Sequence, residues 1–254
     1  IIRSRRHAIE YRFDTPRSSL SRETTVSSVS GSAAGSPSGM TTASAIVREH
    51  HWFAEPSEPA KKSYVVWLLL AQFFFFIGLL GPAIIGIGLK INEFTAAGVI
   101  PTDGAVGAGA ALGGFGAFFA TVANVVFGKV SDRTTSRWGR RRIWIVLGTI
   151  VMTIALAVMA LSTNLTMAIV GWSGAQLGAN MALAPFIATI ADQVPRFQRG
   201  SIAAALGIAQ SLSILAAAYV AQWFQGSLII MFVGPAILAI IVMVIFAFVL
   251  PDKV

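Results

Sequence analysis

The chain has 254 residues, 55% of them apolar and 12% charged, about half the ~25% charged share of an ordinary soluble domain. It has no cysteine, and its 19 Lys and Arg outnumber 11 Asp and Glu. These values exclude a compact soluble globule, a disulfide framework and a thiolate metal site; the basic excess flanks apolar runs, not a soluble basic face with interleaved aromatics, which argues against nucleic acid as a partner.

Residues 1–62 differ from the rest. Stretches such as SSLSRETTVSSVSGSAAGSPSGMTTAS are too poor in large apolar residues to build a core, so the segment reads as a disordered tail. It has no apolar region of the kind a secretory signal needs. The first methionine is Met40. Either synthesis starts there and the upstream stretch is a mis-assigned reading frame, or the chain is a fragment. His50 and His51 read as a solvated pair.

Beyond the tail, residues 63–89, 104–128, 143–191 and 200–251 carry no Asp, Glu, Lys or Arg. A helix needs roughly 20 apolar residues to cross the hydrocarbon layer, so the first two runs hold one span each and the last two hold two each. The expected fold is an all-α membrane protein, a bundle of six transmembrane helices over approximately 64–89, 104–128, 143–161, 166–190, 201–222 and 228–250. Ser162, Thr163 and Asn164 break the third run, and Gln225 with Gly226 breaks the fourth. In span two, Gly109 and Gly113 form a small-xxx-small step that reads as close helix packing.

Orientation follows from Lys and Arg, because short loops rich in them stay in the cytoplasm. The tail holds nine, the loop between spans two and three holds six, and the loop between spans four and five holds Arg196 and Arg199; the alternate loops hold one, none and none. Both termini are therefore expected in the cytoplasm, in a multi-pass protein of the plasma (inner) membrane.

The spans themselves contain no acid–base chemistry. All three histidines lie in the tail, and the charged residues beyond it fall at span ends or in loops. A buried His, Asp or Glu set is what an intramembrane protease or metalloenzyme requires, so an enzyme is not expected, nor a metal or cofactor. Uncharged polar residues remain: Gln72, Asn124, Gln176, Asn180 and Gln210. An unpartnered amide costs several kcal/mol in hydrocarbon, so these side chains face other helices or a wet cavity. Gln176 and Asn180 share a helix face, Trp172 lies one turn from Gln176, and Pro185 can bend the helix. Spans three and six have no amide and can face lipid.

The second basic loop reads GKVSDRTTSRWGRRR, from Gly128 to Arg142. It resembles the loop-two signature of the major facilitator superfamily, Gly-x-x-x-Asp-Arg-x-x-x-Arg-x-Gly-Arg-Arg, and looks most like its sugar:cation symporter branch, the glycoside-pentoside-hexuronide and sucrose-transporter-like groups. ADQVPRFQRG, from Ala191 to Gly200, resembles that branch's loop between spans four and five. The resemblance covers the N-terminal half of a twelve-helix fold and implies a secondary carrier of sugars or glycosides working by alternating access. It implies a cytoplasmic gate of Gly128, Asp132, Arg133, Arg137, Gly139, Arg140, Arg141, Arg142, Asp192 and Arg199. There Asp132, at the negative end of a helix, takes Arg142 and Asp192 into its network, and Gly128 and Gly139 let helix ends approach closely. In the cation-coupled members, span two carries carboxylates where this chain has Ala120 and Asn124, so the implied coupling ion is a proton and not sodium. The implied partners are a sugar-like substrate, that proton, the lipid bilayer and a C-terminal six-helix half. A six-span channel and a non-transporting scaffold or remnant whose basic loop binds anionic lipid are the other readings.

Overall fold

The computed structural model describes residues 58–251. The tail up to residue 57, with His7, His50 and His51, and the residues after Pro251 lie outside the described residues. Among the described residues there are six helices long and apolar enough to cross a membrane. They are α1 (Lys62–Ala96), α2 (Ala105–Arg133), α3 (Arg142–Ala160), α4 (Leu165–Gln193), α5 (Arg196–Trp223) and α6 (Leu228–Val249).

Local chemistry sets the boundaries. Asn164 caps α4, its side chain accepting from the Met167 N–H at 2.8 Å, and Ser227 caps α6 in the same way through Ile230. Pro195 precedes the first residue of α5, where a missing N–H costs nothing. Pro82 interrupts α1: lacking an N–H, it opens a π turn over Pro82–Gly86 in which the Ile87 N–H reaches back to the Pro82 carbonyl.

Several helices outrun the charge-free runs. α1 continues through Lys90 and Glu93, α2 through Lys129 to Arg133, α4 to Gln193, and α5 begins at Arg196. Lys, Arg and Glu end an apolar run without ending a helix, because their unbranched stems have good helix propensity.

The extensive interfaces pair α1 with α5 and α6, α4 with α2 and α3, and α3 with α6. Exchanging α1 with α4, α2 with α5 and α3 with α6 returns this same set of pairs. The prolines obey the exchange as well: Pro82 and Pro185 each lie 20 residues past the first residue of their helices. α4 comes three spans after α1, an odd number, so the two triplets run in opposite directions.

Large side chains fill the contacts between these helices. Tyr64, Leu68 and Phe75 of α1 are buried with Phe186 of α4 and Phe232, Met243 and Phe246 of α6. Phe186 and Phe246 lie 5.1 Å apart between ring centroids, and the Tyr64 hydroxyl bonds that of Thr189 at 2.8 Å.

Close backbone approach occurs between α3 and α4. A Cβ built on Gly178 would stand 2.4 Å from the Met152 nitrogen, and one on Gly148 2.5 Å from the Ala182 nitrogen. The step expected to pack closely, Gly109 and Gly113, does not: nothing lies within 4 Å of a Cβ on Gly113, and Gly109 meets only the tip of Ile91 at 3.6 Å. α2 and α5 keep the least of their surface inside the bundle, and Gly113 lies on an open face of α2.

Candidate functional site at the basic end of the bundle

The basic loops converge at one end of the bundle, where α2 and α4 finish and α3 and α5 begin. Asp132 and Asp192 are each the penultimate residue of a helix, α2 and α4 respectively. Both carboxylates thus sit at the negative end of a helix dipole, which disfavours them unless a cation is near. Arg141 supplies it. Its Nη1 lies 3.2 Å from Asp132 Oδ1, while its Nε and Nη2 donate to the two oxygens of Asp192 at 2.5 and 3.3 Å. This guanidinium is buried, with a side-chain exposure of 6%. A planar fork with five N–H donors suits two carboxylates at once.

Other arginines close the ring. Arg140 donates to Asp192 at 3.3 Å, and Arg199 donates to the carbonyls of Val194 and Ala191 at 2.9 and 3.0 Å, satisfying the end of α4. Arg142 donates to the Leu250 carbonyl at the end of α6, and Gln193 to that of Pro251 at 2.9 Å. Arg133 and Arg137 are exposed. The residue bridging Asp132 to Asp192 is therefore Arg141, one position before the expected Arg142. The sequence offered three successive arginines with no means of ranking them; which one turns inward depends on the turn between α2 and α3.

That turn explains Gly139. Its φ is +105°, a region that L side chains rarely adopt, and its N–H donates to the Ser136 carbonyl at 3.0 Å. Backbone conformation, not close helix approach, is what requires glycine here. Nor is Gly128 a point of close approach, since a Cβ there would stand 4.0 Å from Ala184 Cβ, an ordinary contact.

The expected cavity residues divide. Asn124 donates to the Asn180 side chain at 3.3 Å, and Asn180 donates to the Gln176 carbonyl at 2.9 Å. The Trp172 indole lies on the α2 backbone at Gly116, where an added Cβ would be 2.4 Å from Nε1 and 3.3 Å from Gln176 Cγ. Asn124, Trp172, Gln176 and Asn180 thus form one polar strip along the α2–α4 seam, with Asn124 exposed and Trp172 buried. Among the described residues, no hydrogen bond joins Gln72 or Gln210 to it. Gln72 is 4% exposed and its Oε1 is buried without a hydrogen-bond partner.

Two contributors escaped the sequence reading. Gly116 looked like any glycine of its run, and only the indole above it sets it apart. Lys90 looked like a span-end charge, yet it is 2% exposed. Its ammonium donates to the Ala160 carbonyl at 3.0 Å and pairs with Glu93 at 3.2 Å, tying α1 to the end of α3 at the pole opposite the arginines. The spacing Lys90-x-x-Glu93 was the available signal. The chain matches no protein-family profile and no curated protein sequence.

Proposed function

We propose that this bundle is one half of a secondary transporter of the major facilitator type, carrying a sugar or glycoside together with protons by alternating access. The supporting observation is the exchange relation between the triplets α1–α3 and α4–α6: the same pairings and the same proline offset in opposite orientations. Inverted repeats of three helices nested within a six-helix half are how such carriers build two interconvertible packings around a midplane site.

The arginine-bridged acids fit the gate of such a carrier. Asp132 is 60% exposed beside its partner Arg141, so it is accessible to the end of a helix from a second half docking on the exposed faces of α2 and α5. Asn124, Gln176 and Asn180 carry the donors and acceptors that a hydroxyl-rich neutral ligand requires. In this reading both termini are cytoplasmic and the membrane is the plasma membrane.

The test is uptake of labelled sugars into proteoliposomes holding this bundle joined to a companion six-helix half, driven separately by a pH gradient and a sodium gradient. Saturable uptake driven by the pH gradient and lost in Asp132→Asn is expected. Uptake that neither gradient accelerates, or that Asp132→Asn leaves unchanged, refutes the assignment.

A further inference from the structure

We infer that Gly116 is a positioning residue of the ligand site, an assignment that rests on the transport reading. Gly116 is the socket for the Trp172 indole, and socket and indole together set the separation of α2 and α4 where Asn124, Gln176 and Asn180 stand.

α4 comes two spans after α2, an even number, so the two helices run in the same direction. Their contacts keep one register. Gly116 meets Trp172, Asn124 meets Asn180 and Gly128 meets Ala184, each pair 56 residues apart. Steps of four and eight residues keep the three pairs on one stripe of each helix, and from Gly116 to Gly128 the stripe covers ~18 Å. Ala179 is the middle residue of the 29-residue α4, so Gln176 and Asn180 lie within ~5 Å of its centre.

Side-chain sizes along the stripe are complementary. Trp172 is 3% exposed, and a Cβ on Gly116 would stand 2.4 Å from its Nε1, 2.8 Å from its Cδ1 and 3.3 Å from Gln176 Cγ. An indole is a rigid plate on two torsions and this one is enclosed, so a methyl at Gly116 displaces α2 from α4. Gly113 and Gly114 have nothing within 4 Å of an added Cβ, which sets Gly116 apart in its run. The amides feel such a displacement directly. Asn124 donates to Asn180 at 3.3 Å, already at the long end of the normal range, while Asn180 stays tied to the Gln176 carbonyl of its own helix. Moving α2 therefore parts Asn124 from Asn180 and Gln176 and changes the spacing of donors and acceptors that a hydroxyl-rich ligand meets.

The experiment uses the bundle joined to its companion half and sets Gly116→Ala against Gly116→Ala with Trp172→Phe, whose smaller ring makes room for the methyl. In uptake, Gly116→Ala should raise KM about tenfold with the maximal rate changed less than about twofold, and the double variant should bring KM back to within about threefold of the wild type. Trp172→Phe alone underfills the socket without adding bulk and should also raise KM, which keeps the test open if Gly116→Ala does not fold. The geometry is read without substrate. Asn124→Cys with Asn180→Cys, in a chain that has no cysteine of its own, is joined by a short bifunctional thiosulfonate; Gly116→Ala should slow this cross-link several-fold and Trp172→Phe should restore it. A cross-link unaffected by Gly116→Ala overturns the socket. A KM unchanged in both single variants overturns the positioning role, because Gly116 then serves packing only. A wild-type protein that takes up no sugar refutes the transport reading and the positioning role with it, and the cross-link then decides the socket by itself.

Discussion

Arg141 grips both carboxylate oxygens of Asp192 across the junction of α3 with α4, and the same guanidinium reaches Asp132 at the end of α2. The two acids are not equivalent, because Asp192 is 30% exposed and Asp132 60%. Removing the Asp192 charge leaves a buried guanidinium half-compensated. Asp192→Asn is therefore expected to destabilise the bundle by about 2 kcal/mol, and Asp132→Asn by less than about 1 kcal/mol. Thermal unfolding in detergent measures both; equal losses contradict the assignment of Asp192 as the structural partner and Asp132 as the exposed one.

Gly139 tests the turn that chooses Arg141. At φ +105° an alanine costs about 1–2 kcal/mol, and the relaxed turn withdraws Arg141 from its acids. Gly139→Ala should lower the melting temperature and speed tryptic cleavage at the loop arginines. An unchanged cleavage rate means that the turn does not position the bridge.

The α3–α4 seam predicts a sharp contrast among glycines. Gly178→Ala places a methyl against the backbone of Met152 and should cost about 2 kcal/mol as the helices part. Gly113→Ala, on the open face of α2, should leave stability of the bundle unchanged or raise it by up to about 1 kcal/mol through helix propensity. Melting temperatures of the two variants in detergent decide this directly.

Lys90 holds the opposite pole. Lys90→Met removes the donor to the Ala160 carbonyl and is expected to cost about 1–3 kcal/mol. Glu93 is 51% exposed, so Glu93→Gln should cost under about 1 kcal/mol. If the two variants melt together, the carbonyl contact contributes nothing beyond the surface pair.

Orientation is checked with reporters. Fused after Asn164 or after Gln225, a reporter should behave as non-cytoplasmic; inserted after Thr135, it should behave as cytoplasmic. The reverse pattern inverts the topology.

The number of helices and their approximate positions were legible in the chain, because hydrocarbon imposes a length and excludes charge. The breaks at Asn164 and at Gln225 with Gly226 were legible for the same reason: polar residues interrupt runs too long for one span. Asp132 and Asp192 also stood out, as lone acids among arginines beside helix ends. The exact helix ends were not legible, since the charges at Lys90 and Lys129 stop an apolar run and leave the backbone helical.

Partnership was not legible and came only with packing. A linear pattern ranks neither Arg140, Arg141 and Arg142 nor the many glycines, because the choice depends on which side chain a turn aims inward and which backbone lies opposite. Three-dimensional packing selected Arg141 for two acids, Gly178 and Gly148 for backbone contact, and Gly116 for the Trp172 indole. It also paired α1 with α5 and α6 as it paired α4 with α2 and α3. That the chain spans a membrane was legible in its composition and in the length of its charge-free runs. Interhelical contacts are set by shape at distances of a few ångströms, and that information exists only once the helices are side by side.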